Sequence, residues 1–320
     1  MGQDSIMKRE IQRIGVLMGG ISRERKISLK SGQAIADALR DSGYEVVVLD
    51  FADRAELVAK INNCKADCIF NALHGRFGED GQVQEILNEF KIPYTGSGVR
   101  ASQLAMDKAA SRQIFQKNGL FVPAYCLIDK DYLYRDEEFG NFPLVVKPVK
   151  EGSSIGLSIV EDARSLTAAI EEALTMDQHA IIETYIEGRE ITVGILEDRP
   201  LPVIEVVPKN KFYDFQAKYT PGMTEYIVPA DLPKDISNKA QSDALRAHQL
   251  LGCRCFSRVD MILDKDSNPV ILELNTIPGF TATSLLPKAA AVCGISFQEL
   301  CQRIVFSAVE HNREKILADS

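Results

Sequence analysis

The chain has 320 residues and a mass of 35.4 kDa, which exceeds one simple core and predicts two or three lobes. Its net charge of −8 disfavours a general nucleic-acid surface. There is no long apolar run, so we expect no membrane span, and residues 1–10 lack the apolar core of a secretory signal. Seven cysteines without a C-x-x-C pair indicate reduced thiols in a cytoplasmic protein rather than a zinc site.

In chain order, short apolar runs and helical repeats alternate through the first third of the sequence. This alternation predicts a parallel sheet covered by helices on both faces, which we assign to residues 1–105. The strands are expected at 13–18, 45–50 and 67–73, and the helices at 27–40, 53–62 and 81–90.

Shorter and more mixed elements follow. Residues 106–188 predict a small α+β lobe, and residues 189–320 predict a second one that ends in two helices. The last helix is expected to begin with a capping box formed by Ser296 and Glu299. In the central lobe, strands are expected at 142–148, 157–160 and 180–183, and helices at 107–118 and 165–174. In the last lobe, strands are expected at 190–196, 201–207, 256–263 and 270–274, with a polar loop at 209–224.

Three oxygen-bearing side chains lie on the last two predicted strands. Asp260 is on one strand, and Glu273 and Asn275 are two residues apart on the next, so they face the same side. Antiparallel pairing would bring them to one point, and an all-oxygen set suits magnesium with nucleotide phosphates. The alternative is a polar sheet face with an incidental ion pair to Arg258; the whole set, followed by a Pro-Gly turn, favours the metal site.

A glycine-containing turn follows the first strand of the central lobe. Gly152 and Gly156 permit a tight turn whose N–H groups can hold phosphate, Ser153 and Ser154 add hydroxyl donors, and Lys147 adds positive charge. The G-x-x-x-x-G-K-[ST] order of a Walker A loop is absent. Taken alone, an ordinary Gly-Ser hairpin explains the pattern equally well.

His74 begins a loop of glycines and charges directly after the third predicted strand. Loops at the carboxyl ends of parallel strands line a ligand crevice, and the turns at 19–25 and 94–98 share that edge. His74 is therefore a candidate ligand contact, with a structural loop histidine as the equal alternative. A dinucleotide site at Gly19-Gly20 is disfavoured because the G-x-G-x-x-G pattern is missing.

Aromatic residues and a lysine occur together in the polar loop of the last lobe, with the sequence YDFQAKY at 213–219. One interpretation is a surface loop anchored by its aromatic side chains. The other is a lid that brings Lys218 and Tyr219 over a bound substrate and excludes water.

Seven motifs follow one another in an order known from one family: MGGISRERKISLKSG, HGRFGEDG, MDK, KPVKEGSSIG, YDFQAKY, SRVDMIL and ELNTIPGFTATSL. From about Ile14 to the C-terminal helix, the chain resembles the D-alanine–D-alanine ligases of the ATP-grasp superfamily. The resemblance implies an α/β and α+β protein with the ATP-grasp fold, in which a parallel-sheet lobe precedes a small central lobe and a C-terminal lobe.

The resemblance also implies a nucleotide site, with ATP as co-substrate. Glu183 and Ile186 match the segment that holds adenine, and Glu190 matches the ribose contact. Asp260, Glu273 and Asn275 match the ligands of magnesium, with two ions bound and manganese able to substitute. The remaining implied ATP contacts are Lys108, Lys147, Ser153, Ser154 and Lys218, the last of which lies near the transferred phosphate.

The residues implied for the amino-acid substrates and for catalysis are distributed along the whole chain. Glu24 matches the residue that holds the ammonium group of the first D-alanine, and His74 matches a residue near that substrate. Glu24, Ser153 and Tyr219 match a hydrogen-bonded set that closes the lid. The implied oxyanion donors are Arg258 and the N–H of Gly279, and the implied carboxylate site of the second D-alanine is Ser284 with the N–H of Leu285.

The implied reaction activates one D-alanine as an acyl phosphate and joins it to the amine of another, for peptidoglycan precursor synthesis. The lid pair of Lys218 and Tyr219 resembles that of dipeptide-forming enzymes, since relatives that use D-lactate lack the tyrosine; D-serine is less excluded. Departures at Phe77, Val149 and Lys150 remove no charged ligand. The resemblance further implies a cytoplasmic homodimer.

Two rival functions are weighed against a ligase. A catalytically silent ATP-binding sensor on the same fold would be expected to lose the magnesium ligands or the lid lysine, and this sequence retains them. A nicotinamide-dependent oxidoreductase would need the dinucleotide fingerprint, which is absent. Both observations favour a ligase over the two rivals.

Overall fold

The computed structural model describes residues 11–131, 142–152, 154–209 and 223–319. Its N-terminal part alternates strands and helices: β1 (Arg13–Gly19), α1 (Arg25–Asp41), β2 (Glu45–Phe51), α2 (Arg54–Cys64), β3 (Cys68–Asn71), α3 (Gln82–Glu89) and α4 (Val99–Met106). The strands pair in parallel in the order β2-β1-β3. This confirms the parallel sheet expected from the sequence and places the carboxyl ends of its strands at one edge.

The middle of the chain forms an antiparallel sheet with strand order β4-β7-β5-β6. Its apolar face packs on one helix, whose first turn is capped by the carboxylate of Asp162. The elements of this part are α5 (Lys108–Lys117), β4 (Tyr125–Ile128), β5 (Leu144–Pro148), β6 (Ser158–Val160), α6 (Ala163–Met176) and β7 (Ala180–Thr184).

The C-terminal part contains a larger antiparallel sheet. Its elements are β8 (Arg189–Leu196), β9 (Arg199–Pro200), β10 (Ile204–Pro208), β11 (Thr224–Ile227), α7 (Lys234–Leu250), β12 (Phe256–Leu263), β13 (Pro269–Asn275), α8 (Leu285–Val292) and α9 (Phe297–Asp319). The strand order is β11-β10-β8-β12-β13, and β9 pairs with β8. Ser296 accepts a hydrogen bond from the N–H of Glu299 at 3.1 Å, as expected for the cap of α9.

The largest apolar core joins the two ends of the chain. Val16 and Phe70 of the parallel sheet share this core with Phe280 and with Ile304 of the last helix. A second core packs α4, α5 and α7 on the C-terminal sheet. The division into lobes at 105/106 and 188/189 stays a prediction. No helix among the described residues is long and apolar enough to cross a membrane.

Helix α7 is absent from the sequence prediction although it is 17 residues long. Its buried face consists largely of Ala240, Ala244 and Ala247, which are fully buried against the C-terminal sheet. Alanine contributes little to an apolar periodicity, so the repeat that identifies amphipathic helices is weak here. The helix is therefore recognised through its packing rather than its sequence pattern.

Candidate functional site

Strands β12 and β13 bring the predicted metal ligands together. They pair in antiparallel register, with Asp260 opposite Glu273 and Arg258 opposite Asn275. The amide of Asn275 donates to Oδ2 of Asp260 at 3.0 Å, and Glu273 faces the same cavity as Asp260. The sequence spacing thus predicts a real convergence of side chains.

Asp260 also forms the ion pair that the alternative interpretation expects. Arg258 donates to it through Nε and Nη2, both at 2.7 Å, and Thr192 on β8 donates through Oγ1 at 2.6 Å. Within the described residues, no three His, Cys, Asp or Glu side chains could together hold a metal ion. A metal site here would therefore need the amide oxygen of Asn275 in addition to the carboxylates of Asp260 and Glu273.

A cavity of about 440 Å³ lies between the central and C-terminal sheets. Its walls are partly apolar, with Val145, Ile159 and Leu272 facing into it. A concave cavity that combines apolar walls with convergent charged groups is typical of a small-ligand site. Six predicted nucleotide-binding residues line it, and Ser153 and Lys218 lie outside the described residues: the six are Lys108, Lys147, Ser154, Glu183, Ile186 and Glu190.

Lys108 and Lys147 bring two positive charges into the cavity wall. The Nζ of Lys108 donates to the carbonyl of Glu151 at 2.6 Å and lies 3.6 Å from the carboxylate of Glu273. The Nζ of Lys147 donates to Oε1 of Glu183 at 2.9 Å. Burial lowers the pKa of Lys147 to about 8, although the Glu183 carboxylate opposes this shift. Both lysines are more than nine-tenths buried, which leaves their charges little screened by water.

Glu183 lines the cavity and is paired with two cations, Lys147 and Arg112. Burial disfavours its ionised form, but the charges of Lys147 and Arg112 outweigh burial and hold its pKa below the usual range. Arg112 on α5 lies 2.5 Å from Oε2 of Glu183. Sequence reasoning missed Arg112 and also Thr192. Neither stands in a recognisable motif, so only the packing reveals them.

The glycine-containing turn forms as expected between β5 and β6. The N–H of Ile155 donates to the carbonyl of Gly152 at 3.0 Å, and Gly156 has a φ of 71°, which favours glycine. Ser154 also has a positive φ, of 58°, and lines the cavity. The turn thus joins two paired strands and lines the cavity between the sheets, and its contact with phosphate stays a prediction.

The carboxylate of Glu24 lies between two glycine turns. A Cβ built on Gly75 would lie 2.5 Å from Oε2 of Glu24, and one built on Gly152 would lie 3.3 Å from it. Glu24 precedes helix α1 and is buried. The structure therefore brings the first lobe and the glycine turn of the central lobe to the same carboxylate. Side chains larger than glycine would displace it.

His74 is buried and uses both ring nitrogens. Its Nε2 lies 3.0 Å from Oγ of Ser31, and its Nδ1 lies 3.1 Å from the carbonyl of Ile277 and 3.3 Å from Glu79. Ser31 in turn accepts from the N–H of Phe280 at 3.2 Å. His74 therefore joins the parallel sheet to the segment after β13. The structural-histidine alternative gains support, and the histidine still lies beside the predicted substrate segment.

The last predicted site residues lie where α8 begins. Ser284 precedes the helix, and Leu285 is its first residue. Oγ of Ser284 accepts from the N–H of Thr281 at 2.9 Å and lies 3.6 Å from a Cβ built on Gly279. A helix start beside a glycine offers several N–H groups and is suited to an anion such as a carboxylate. Tyr219, the other predicted lid residue, lies outside the described residues.

The sequence is similar to known proteins over most of its length. Sequence models described as D-ala D-ala ligase N-terminus and C-terminus match residues 53–97 and 114–306. A D-alanine–D-alanine ligase of Syntrophotalea carbinolica is 47% identical over 305 residues, covering 95% of this chain and 99% of the relative. One of Halalkalibacterium halodurans is 46% identical over 301 residues, covering 92% and 98%.

Solved structures lead to the same group. The D-alanine–D-alanine ligase of Bacillus anthracis complexed with ATP superposes with a TM-score of 0.85 at 33% identity, covering 95% of this chain and 99% of that one. The fold and the cavity between two antiparallel sheets define an ATP-grasp enzyme. Within that class, the chain belongs to the D-alanine–D-alanine ligase family.

Proposed function

We propose that the chain is an ATP-dependent, ADP-forming carboxylate–amine ligase that joins two D-alanine molecules into D-alanyl-D-alanine for the bacterial cell wall. The family membership supports the reaction. The observation that carries the residue assignment is the meeting of Asp260, Asn275 and Arg258 beside a cavity with two buried lysines. A phosphoryl transfer needs such a concentration of charge.

The nucleotide is proposed to occupy the cavity between the sheets. Ile186 and the backbone beside Glu183 would hold adenine, and Glu190 would contact the ribose. Lys108 and Lys147 would offset the negative charge of the phosphates, since both reach the cavity from buried positions. On the basis of the family resemblance, the hydroxyls of Ser153 and Ser154 are proposed to contact the same phosphates.

Asp260, Glu273 and Asn275 are proposed to hold magnesium, for which manganese can substitute. The donor set fits, because it offers carboxylate and amide oxygens and neither sulfur nor imidazole. When bound, the metal would neutralise charge that builds up between the ATP phosphates and the substrate carboxylate. Thr192 and Asn275 fix the orientation of Asp260 through hydrogen bonds.

The first D-alanine is proposed to bind between Glu24 and His74. Its carboxylate oxygen attacks the γ-phosphorus of ATP, the bond to the bridging oxygen breaks, and ADP leaves. The amine of the second D-alanine then attacks the acyl carbon, loses a proton, and expels phosphate. Arg258 and the N–H of Gly279 would stabilise the oxyanion, and Ser284 with the N–H of Leu285 would hold the second carboxylate.

Water must be excluded while the acyl phosphate exists, because it is hydrolysable. Lys218 and Tyr219 are proposed to cover it as a lid, with Lys218 beside the transferred phosphate and Tyr219 bonded to Glu24 and Ser153. This assignment rests on the family resemblance. We also propose that the protein acts in the cytoplasm as a homodimer with the three-lobe division at 105/106 and 188/189.

Phosphate release from ATP tests the reaction class. We expect release that depends on D-alanine and stops when EDTA removes divalent ions, with recovery on adding magnesium or manganese. A silent sensor would release none, and an oxidoreductase would not use ATP. Release that is independent of D-alanine would contradict the proposal.

Mass spectrometry of the products tests the second substrate. With a mixture of D-alanine, D-serine and D-lactate, we expect D-alanyl-D-alanine as the main product and little or no ester. The three candidates differ in mass, so one measurement ranks them. A dominant D-alanyl-D-lactate product would overturn the role given to Tyr219.

A further inference from the structure

The guanidinium of Arg112 is among the most deeply buried charges of the described chain. Its side chain is 1% exposed, yet Arg112 does not line the nucleotide cavity. Burying an isolated charge costs several kcal/mol, so such a group persists only when it is paired. Its position behind the cavity wall suggests that it acts on a residue in that wall.

Arg112 connects three elements that form the cavity. From helix α5 its Nη1 lies 2.5 Å from Oε2 of Glu183 on β7, and its Nη2 donates to the carbonyl of Leu272 on β13 at 3.2 Å. Its guanidinium also stacks over the ring of Tyr125 on β4, 5.3 Å from the centroid. The planar guanidinium of arginine has several N–H donors and can make these contacts at the same time, whereas the ammonium group of a lysine cannot.

The chain of charges continues to the cavity itself. Glu183 has one oxygen beside Arg112, and the other accepts from Nζ of Lys147 at 2.9 Å. Arg112 therefore pairs with one oxygen of the carboxylate, and Lys147 donates a single hydrogen bond to the other oxygen. Without the arginine, both oxygens of Glu183 would be available to Lys147 alone and would compete with an anionic ligand for the ammonium group.

We infer that Arg112 is a positioning residue for nucleotide binding: by sharing Glu183, it holds Lys147 in place and leaves its ammonium group available to the ATP phosphates. The inference rests on the proposed contact between Lys147 and those phosphates. It gives a role to a residue that touches neither substrate, and it explains why a cation is buried behind the carboxylate of Glu183 in the cavity wall.

Binding of ATP, measured by calorimetry without D-alanine, tests the inference. Neutralising Arg112 in Arg112→Met is expected to raise the dissociation constant of ATP about tenfold, while kcat at saturating ATP changes less than about threefold. Arg112→Lys retains the charge but loses the planar guanidinium, and its dissociation constant for ATP is expected to lie between those of the wild type and Arg112→Met. Arg100→Met, which changes an exposed arginine on α4, is the matched control and should bind normally.

The pH dependence of kcat/KM for ATP separates positioning from mere support of the fold. The charged groups facing Lys147 are Glu183 from β7, Arg112 and Lys108 from α5, and Glu273 from β13. Arg112 and Lys108 lower the pKa of Lys147, whereas Glu183 and Glu273 raise it. Arg112→Met should therefore move the alkaline limb to higher pH, and Arg112→Lys should leave it in place.

A double-mutant cycle tests whether the effect passes through Glu183. In a Glu183→Gln background, Arg112→Met is expected to add less than about twofold to the dissociation constant. Thermal melting identifies variants that do not fold. If Arg112→Met does not fold, Arg112→Gln, a polar and uncharged replacement, is measured in its place. Full additivity in the cycle would overturn the inference.

Lys147→Met distinguishes this inference from the proposed function. If Lys147→Met binds ATP weakly and a folded, neutral Arg112 variant binds it normally, the positioning role of Arg112 is wrong and the role of Lys147 stands. If Lys147→Met itself binds ATP as the wild type does, both roles are wrong.

Discussion

At the scale of single residues, Asp260 is the most heavily shared side chain of the site. Arg258, Thr192 and Asn275 all donate hydrogen bonds to its carboxylate. Three donors from three strands fix the orientation of one acid, so it needs little reorganisation when a ligand arrives. Two of these partners stand in the SRVD and ELN motifs, whereas Thr192 carries no sequence pattern and is identified by its contact alone.

Arg258→Ala should separate binding from catalysis. We expect ATP binding to stay near the wild-type value and turnover to fall at least about a hundredfold, because an oxyanion donor is lost. Arg258→Lys keeps the positive charge but loses the planar guanidinium with its paired N–H donors, so it should recover only part of the turnover. Steady-state kinetics with both substrates measure this; near-normal turnover in Arg258→Ala would rule out the oxyanion role.

Tyr219→Phe should loosen the lid. Loss of the hydroxyl removes the proposed bond to Glu24 and Ser153, so water should reach the acyl phosphate more often. The expected result is more ATP hydrolysed per dipeptide formed, measured as the ratio of phosphate to D-alanyl-D-alanine. If that ratio remains at one, the hydroxyl does not close the lid.

At the scale of elements, helix α7 contains a buried histidine beneath the C-terminal sheet. His248 is fully buried, and its Nδ1 lies 2.7 Å from Oγ of Ser257 on β12. Burial lowers its pKa to about 4, although Asp198 at 3.4 Å opposes the shift. The folded protein therefore keeps this histidine neutral at pH values where an unfolded chain would protonate it.

This burial predicts a loss of stability on acidification. Between pH 6.5 and about 4 the unfolded chain binds a proton at His248 that the folded chain does not, so the free energy of unfolding falls as pH falls. Over this pH range the free energy of unfolding is expected to fall by about 3 kcal/mol because of His248. Urea denaturation at several pH values gives the free energy of unfolding at each pH. Between pH 6.5 and 4 this free energy should fall less steeply with decreasing pH in His248→Asn than in the wild type.

A matched control uses another histidine of the chain. His179 is exposed directly before β7, so His179→Asn controls for the exchange of histidine for asparagine and should change the free energy of unfolding little. If His248→Asn and the wild type lose stability in parallel between pH 6.5 and 4, protonation of His248 does not destabilise the fold.

At the scale of the whole molecule, side chains of the first lobe tie it to both other parts. His74 and Ser31 bond to the segment after β13, and Arg76 lies 2.9 Å from Glu151 in the glycine turn and donates to the carbonyl of Met176 at 3.0 Å. These contacts join residues up to 249 positions apart in the chain. They bring Glu24 into position between the lobes.

His74→Ala should affect the amino-acid end of the site more than the nucleotide end. The change leaves Ser31 and the carbonyl of Ile277 without this partner and loosens the link to the segment that precedes Ser284. We expect the KM for D-alanine to rise about tenfold and the KM for ATP to change less than about twofold. An equal rise in both constants would contradict a local role, and His179→Ala serves as the control.

The sequence by itself determined the alternating strands and helices of the N-terminal part, most of the other strands, and the family, because these depend on local periodicity and on motifs of adjacent residues. It also placed Asp260, Glu273 and Asn275 on facing strands, since antiparallel pairing of neighbouring strands follows simple geometry. Tertiary structure alone decided the roles around Arg112, Thr192 and His248, and it revealed α7. Their significance comes from burial and from partners distant in sequence, and no local pattern records either property.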